Sequence, residues 1–329
     1  MKNLIIFLLF LSTFIIQSYA QDTFSIVAVD SVTGEAGSAG GSCVDLYQFV
    51  KPPDFIGDLI PGIGAINTQA NYDEFNQANA RDRMLAGDTP EEIIAWLRQN
   101  DVEADASYRQ YGIAALKNGK PMAAGFTGTN CQPYRNHYVG PNYCIQGNIL
   151  LGQQILDSIK SHFLAKQGTL ADKLMYALQG AKVPGADSRC LNNGTSTLFA
   201  YIKVSKKTDA DGSPYLKLGV KTHSGAKIEP IDSLQKLYDY WLLFNDVNEN
   251  PIQNQYSIII NSDNQTFELK SNEYRIKSIE VFNIFGQKII SDNFGSYSIN
   301  LDINRLSNGI YFVIIQNEIN EKFYMKFMK

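Results

Sequence analysis

One run constrains the fold more than any other. It reads Thr23-Phe24-Ser25-Ile26-Val27-Ala28-Val29-Asp30, then Ser31-Val32-Thr33-Gly34-Glu35, then Ala36-Gly37-Ser38-Ala39-Gly40-Gly41-Ser42-Cys43. The first part is β-branched and apolar, the middle has turn chemistry, and the last is small and glycine-rich, so the run predicts a β-hairpin. Small side chains along a strand mark the close approach of another backbone or of a ligand. A threonine at the head of such a hairpin also suits a self-activating N-terminal nucleophile, because its own α-amine can act as the base.

The residues ahead of this run read as a secretory signal. Lys2 supplies a positive start, Leu4 to Ile16 an apolar stretch, and Ser18-Tyr19-Ala20 the small residues of a cleavage site. The expected signal covers 1–20, with a new N-terminus at Gln21. The apolar stretch is short for an uncleaved membrane anchor, and no later segment reaches about 18 apolar residues, so no transmembrane helix is expected after signal removal. The formal charge of −4 is mild and no Lys/Arg cluster stands out, which argues against a nucleic-acid partner. Oligomeric state leaves no mark in the sequence.

Four cysteines are present, Cys43, Cys131, Cys144 and Cys190. In an exported chain they can pair in three ways or stay as small buried apolar groups. Cys131–Cys144 is the expected disulfide, because the loop between them is short and turn-rich.

Helix and strand signals alternate after the opening hairpin. Asn67 to Ala70 reads as a short strand and Tyr72 to Leu85 as a helix. Thr89-Pro90-Glu91-Glu92 opens the next helix with a capping box and a first-turn proline, and Ile93, Ile94, Trp96 and Leu97 form its buried stripe. Arg109 to Leu116 and Pro121 to Thr127 flank Asn118-Gly119, a hairpin signal. Thr129 to Tyr143 reads as an irregular loop. Helices are expected over Leu150 to Leu164, Leu170 to Gln179 and Ile231 to Phe244, with a strand pair Thr197 to Val204 and Tyr215 to Val220 between the last two. Hairpins alternating with helices predict an α+β fold with mainly antiparallel sheets covered by helices, and two stacked sheets between two helical layers fit this order. Composition changes after Phe244. Residues 246–255 read as a polar linker, and 256–329 as short strands without helices, a small β-sandwich.

The opening run, with INTQA at Ile66 to Ala70, YGIAAL at Tyr111 to Leu116, FTGTNC at Phe126 to Cys131, QGNILLG at Gln146 to Gly152 and GADSR at Gly185 to Arg189, resembles a bacterial family. It is the family catalogued as domain of unknown function 1028, placed with the N-terminal nucleophile (Ntn) hydrolases. The resemblance covers residues 23 to about 245 and implies a four-layer αββα Ntn-hydrolase-like sandwich for 21–245 and amidohydrolase ancestry. The tail resembles the C-terminal sorting domain of the type IX secretion pathway of Bacteroidetes, through Ile279 to Lys288, Leu306 to Val313 and the basic-aromatic end Lys322 to Lys329. It implies the type IX secretion machinery as partner, passage by way of the periplasm, and release or attachment at the outer cell surface.

Three groups of residues carry the candidate chemistry. Thr23 is a nucleophile once Gln21 and Asp22 are trimmed away, or simply the start of a strand. Asp187 and Arg189 orient a polar substrate or adjust a nearby amine, or form an ion pair that organises a loop. Gln69 and Asn148 donate to a developing oxyanion, or Asn148 caps the helix after it. Thr23, Asn148, Asp187 and Arg189 are thus the catalytic candidates, with Gln69 and Ser25 as substrate-binding candidates. His137, His162 and His223 fall in no metal-ligand pattern, Gly37 to Gly41 lacks the lysine and helix of a phosphate loop, and Asp209-Ala210-Asp211-Gly212 reads as a hairpin turn rather than a calcium loop. No cofactor is expected. The function expected is amide-bond hydrolysis by an exported enzyme; the alternative is a non-catalytic surface module binding peptide or cell-wall fragments.

Overall fold

A computed structural model of the protein describes residues 23–49, 51–245, 256–261, 266–283, 287–307 and 310–328. The expected signal at 1–20, the new terminus at Gln21 and the expected linker at 246–255 lie outside the described residues. The described residues form seventeen strands and five α-helices.

The opening hairpin forms as its chemistry predicts. β1 (Thr23–Val29) and β2 (Ala36–Ser42) pair antiparallel, from Thr23 opposite Ser42 to Val29 opposite Ala36. They sit at the centre of a six-stranded sheet with β7 (Asn136–Val139), β8 (Tyr143–Gly147), β9 (Phe199–Ser205) and β10 (Leu216–Lys221), in the order β10-β9-β2-β1-β8-β7. A second sheet holds β3 (Gly57–Ile60), β4 (Gly64–Ala70), β5 (Arg109–Lys117) and β6 (Lys120–Thr127) in chain order. Asn118 and Gly119 both take positive φ, 54° and 74°, the conformation of a tight hairpin turn between β5 and β6.

Helices cover the outer face of each sheet. α1 (Glu74–Leu85) and α2 (Pro90–Gln99) pack Ala80, Met84, Ile93 and Leu97 against Ile66, Tyr111 and Ile113 of the four-stranded sheet. The Thr89–Glu92 capping box opens α2 as its sequence predicts. α3 (Gln153–Ala165) and α4 (Leu170–Gly180) pack Ile155, Leu174 and Leu178 in one core with Phe24, Ile26 and Ala28 of β1, and α5 (Pro230–Asn245) adds Leu234 over β9 and β10. Between the sheets lies a layer of small groups, among them Val27, Val29, Ala36, Ala65, Ala114 and Cys144. Both faces of β1 are therefore buried. The glycines of β2 admit neighbouring side chains rather than a ligand: a Cβ on Gly37 would lie 2.4 Å from Leu174 of α4, and one on Gly40 would lie 2.9 Å from Ser25.

Two local expectations change. The expected loop from Thr129 to Tyr143 contains β7, which pairs with β8 along Asn136 to Val139. The helix expected from Leu150 begins at Gln153 with Gly152 before it, so Asn148 caps nothing; its side chain serves the sheet instead.

The disulfide is Cys43–Cys190, with Cα atoms 5.6 Å apart, and the expected Cys131–Cys144 pair does not form. Cys131 and Cys144 are buried thiols: Cys131 Sγ donates to the Arg109 carbonyl, while Cys144 on β8 lies in the layer between the sheets. Proximity in sequence misled here, because sheet pairing decides which cysteines meet. β2 lies beside β9, with Ser42 opposite Phe199, and the segment before β9 carries Cys190 back to the end of β2.

The tail forms two small antiparallel sheets. β11 (Tyr256–Asn261), β12 (Thr266–Ser271) and β15 (Ser298–Asp302) make one, in the order β11-β12-β15. β14 (Lys288–Ser296), β13 (Ile276–Asn283), β16 (Ile310–Asn317) and β17 (Lys322–Met328) make the other, in that order. Phe267, Leu269, Ile279, Val281, Val313 and Ile315 fill a core of their own.

The disulfide closes a sequence separation of 147 residues, so its loss frees a long loop in the unfolded chain. Cys43→Ser or Cys190→Ser is expected to cost about 2–5 kcal/mol in urea unfolding. Thiol titration of the denatured, unreduced protein after alkylation, read by peptide mass, is expected to mark Cys131 and Cys144; label on Cys43 and Cys190 instead would refute this pairing.

Candidate functional site

Burial on both faces leaves the polar residues of β1 in need of partners, and amide side chains from β4, from β8 and from the turn after β8 meet them. The main-chain nitrogen of Thr23 donates to Asn148 Oδ1 at 3.1 Å, and the Asn148 nitrogen donates to the Thr23 carbonyl at 3.1 Å. Gln69 of β4 donates from Nε2 to the same carbonyl at 2.9 Å. Gln69 Oε1 accepts the Ser25 hydroxyl at 2.5 Å, and Gln146 Nε2 of β8 donates to Ser25 Oγ at 2.6 Å. Thr23, Ser25, Gln69, Gln146 and Asn148 are all buried.

Asp187 and Arg189 approach from the other side of β1. Asp187 is fully buried and Arg189 half-buried, and Arg189 Nη2 lies 2.6 Å from Asp187 Oδ2. Asp187 also accepts the main-chain N–H groups of Cys43 at 2.8 Å and of Arg189 at 3.2 Å. This carboxylate therefore ties the turn Ser188–Cys190 to the end of β2, beside the disulfide. Arg189 Nη2 reaches Ser42 Oγ at 3.3 Å, and Ser42 is the residue paired with Thr23. The ion pair thus organises a loop and also places a guanidinium beside the head of β1.

The structure brings all six sequence-derived candidates into one region. Gln69, Ser25, Thr23 and Asn148 are joined by direct hydrogen bonds; Asp187 and Arg189 join through Ser42. Asn148 and Gln69 act as clamps on the Thr23 backbone. Ser25 is held between two glutamines, which uses its hydroxyl as donor and acceptor. Ser42, Gln110, Gln146 and Thr127 belong to the same polar system and were not singled out by motif. The signal that marks them is a polar residue set into an otherwise apolar or small strand run, as in Arg109-Gln110-Tyr111-Gly112 and Cys144-Ile145-Gln146-Gly147. Such a residue needs a buried partner.

Backbone strain accompanies the clamps. Ala70, directly after Gln69, has φ of 69°, and Ile149, directly after Asn148, has φ of 50°. A β-branched residue in this left-handed region is an outlier, and such strain costs on the order of 1–3 kcal/mol. Both residues turn the chain sharply after the clamping amide.

Among the described residues no group of three or more His, Cys, Asp or Glu is placed to hold a metal ion. Asp209 Oδ2 accepts the main-chain N–H groups of Lys206 and Tyr215, which makes it part of the turn between β9 and β10. Among the described residues no helix is long and apolar enough to cross a membrane.

Gly112 on β5 is required by this packing. A Cβ there would stand 2.1 Å from Gln146 Oε1 and 2.5 Å from its Cδ. Gly112→Ala is expected to displace Gln146 from Ser25 and to cost about 1–3 kcal/mol in urea unfolding. Gly295→Ala, which meets nothing within 4 Å, is the control and leaves the unfolding midpoint unchanged.

The comparisons bear on the family and the fold. The family described as a family of unknown function (DUF1028) matches residues 23–231, and the secretion system C-terminal sorting domain matches residues 250–329. A crystal structure of a DUF1028 protein from Silicibacter pomeroyi is similar with a TM-score of 0.54 at 21% identity, covering 69% of this chain and 92% of that one, which shows the fold. A DUF3244 protein from Bacteroides vulgatus with an immunoglobulin-like β-sandwich fold aligns over 22% of this chain and 82% of its own at 18% identity; its TM-score of 0.20 carries no argument. Comparison with curated proteins found no match. The chain belongs to the DUF1028 family and ends in a sorting domain of the type IX secretion system.

Proposed function

We propose that this exported protein is an Ntn-type hydrolase that cleaves an amide bond with Thr23 as nucleophile, after trimming of Gln21 and Asp22. The observation that carries the reading is the clamp on Thr23. Its nitrogen faces Asn148 Oδ1, its carbonyl takes hydrogen bonds from Gln69 and from the Asn148 main chain, and it heads a central strand. Two facing sheets with helices outside each support the four-layer Ntn arrangement for 21–245.

In this mechanism the trimmed chain presents the Thr23 nitrogen as a free amine. Asn148 Oδ1 orients that amine so that its lone pair takes the proton of the Thr23 hydroxyl. The oxygen attacks the substrate carbonyl carbon, the amine passes its proton to the leaving nitrogen, and the C–N bond breaks. Water then hydrolyses the acyl ester by the same proton route. Arg189, held by Asp187, orients a polar or anionic group of the substrate, a peptide or cell-wall fragment. A second reading, a non-catalytic binding module, is favoured by the complete burial of Thr23 and Ser25. The apolar face of α5 offers it little surface, since Ile231, Leu234, Leu237 and Tyr238 are buried in the core.

The test is the N-terminus and activity of protein recovered from its native host. The hydrolase reading expects a chain that begins at Thr23, and expects Thr23→Ala to lower hydrolysis of an amide panel by at least about a thousandfold. A chain that begins at Gln21 throughout, or a Thr23→Ala variant with unchanged activity, would favour the binding module, checked by retention on cell-wall material.

The sorting domain marks the chain for secretion or the outer surface and for the type IX machinery. Passage through the periplasm is part of the proposal. Deletion of 276–329 is expected to leave the protein in the periplasmic fraction; its continued appearance outside the cell would refute that role of the tail.

A further inference from the structure

A line of polar side chains leaves the Thr23 site, runs through β5 and ends at His137 on β7. Its direction follows from groups that can only accept. Gln69 Nε2 faces the Thr23 carbonyl, and Gln110 Nε2 faces the carbonyls of Gly147 at 3.0 Å and Asn136 at 3.1 Å. A carbonyl oxygen never donates, so both nitrogens are fixed as the donor ends of their amides. Gln69 Nε2 therefore donates onward to Gln110 Oε1 at 2.7 Å. Beyond Gln110, Thr127 Oγ1 lies 2.8 Å from Gln110 Nε2 and 2.8 Å from His137 Nδ1.

An amide nitrogen does not accept, so of these two partners only His137 Nδ1 can take the Thr127 hydroxyl proton. With that nitrogen as acceptor, the neutral ring carries its proton on Nε2. A protonated ring would donate to Thr127 Oγ1 and leave the hydroxyl proton without an acceptor in this line.

We propose that His137 is a positioning residue for the Thr23 site. As terminal acceptor it holds Thr127 Oγ1 against Gln110 Nε2, and so braces the Gln110 amide that takes the Gln69 hydrogen bond beside the Thr23 carbonyl. The relay stands on its own geometry; its meaning for catalysis rests on the Thr23 reading.

The surroundings of the ring favour its neutral form. Burial holds the His137 pKa below the ordinary histidine value. On β8 the residue paired with His137 is Gln146, and the nearby titratable group is Cys144: a Cβ on Gly125 of β6 would lie 2.6 Å from the ring and 2.8 Å from Cys144 Sγ. Burial pushes the Cys144 thiol pKa up, so it is uncharged there. Arg135, directly before β7, donates to the Thr129 carbonyl at 2.7 Å. On α3, Asp157 accepts the Tyr138 hydroxyl at 2.7 Å and Lys160 lies over the Tyr138 ring, which alternates to the opposite face of β7 from His137.

The test is nitrogen-15 NMR of the full chain labelled at histidine, glutamine, threonine and asparagine. The chain has three histidines, and His137→Gln assigns the relevant ring. The expected result is one neutral tautomer, bare at Nδ1 and protonated at Nε2. Thr127→Val is expected to give mixed tautomers and an upward shift of the His137 titration, while Thr127→Ser keeps the single tautomer. The Gln69 side-chain amide and the Asn148 main-chain amide are expected to shift in His137→Gln and to stay in place in His162→Gln.

A wild-type ring protonated at Nδ1, or a Gln69 amide that does not move in His137→Gln, would overturn the proposal. Should Thr127→Val fail to fold, these two readouts still decide it. A correct tautomer and relay in a chain without amidase activity would overturn the hydrolase reading alone.

Discussion

β1 is covered on both faces, and the rest of the first domain follows from that. Phe24, Ile26 and Ala28 enter the core under α3 and α4, while Val27 and Val29 meet the second sheet. On the same face as Val27, Thr23 and Ser25 bring polar groups into a place without water. An unpaired buried donor or acceptor costs about 1–3 kcal/mol, so each needs a partner fixed by another strand. Gln69, Gln146 and Asn148 supply those partners, from β4, from β8 and from the turn after β8. The hydrogen bonds that define the candidate site are thus also the bonds that let β1 be buried.

That double duty limits what the site can tolerate. A clamp that only positioned a catalytic group could be lost without harm to the fold. Here, removal of Gln69 also strands the Ser25 hydroxyl and the Gln110 carbonyl oxygen. The left-handed turns at Ala70 and Ile149 act in the same sense, because each spends local strain to aim the amide before it. Stability and geometry at Thr23 cannot be varied separately.

Local signals in the sequence predicted the elements well where the chemistry is local. The Thr89–Glu92 box, the Asn118-Gly119 turn and the opening hairpin each depend on a few adjacent residues, and each forms as expected. Asn148 was ambiguous because Gly147-Asn148 before an apolar run resembles a helix start; only the sheet shows that its oxygen faces Thr23. The cysteine pairing was not legible because it depends on distant segments lying side by side, β2 beside β9. β7 pairs with β8 across only Gly140-Pro141-Asn142, but its four residues, Asn136-His137-Tyr138-Val139, are too short and polar to read as a strand. The candidate residues were found one by one, but the glutamines that connect them became visible only once strands 40 or more residues apart faced each other across the two sheets, as those of Ser25 and Gln69 do.

The cross-link between Cys43 and Cys190 gives the site a history. Such bonds form in oxidising compartments, outside the reducing cytosol. Before export the turn that carries Asp187 and Arg189 is held to β2 by hydrogen bonds and the ion pair alone; afterwards it is also held covalently. The molecule made in the cytosol and the exported molecule are therefore chemically different at a segment that reaches Thr23 through Ser42. Preparations from reducing and oxidising hosts are two proteins with one sequence, and assays on the first describe the precursor rather than the exported form.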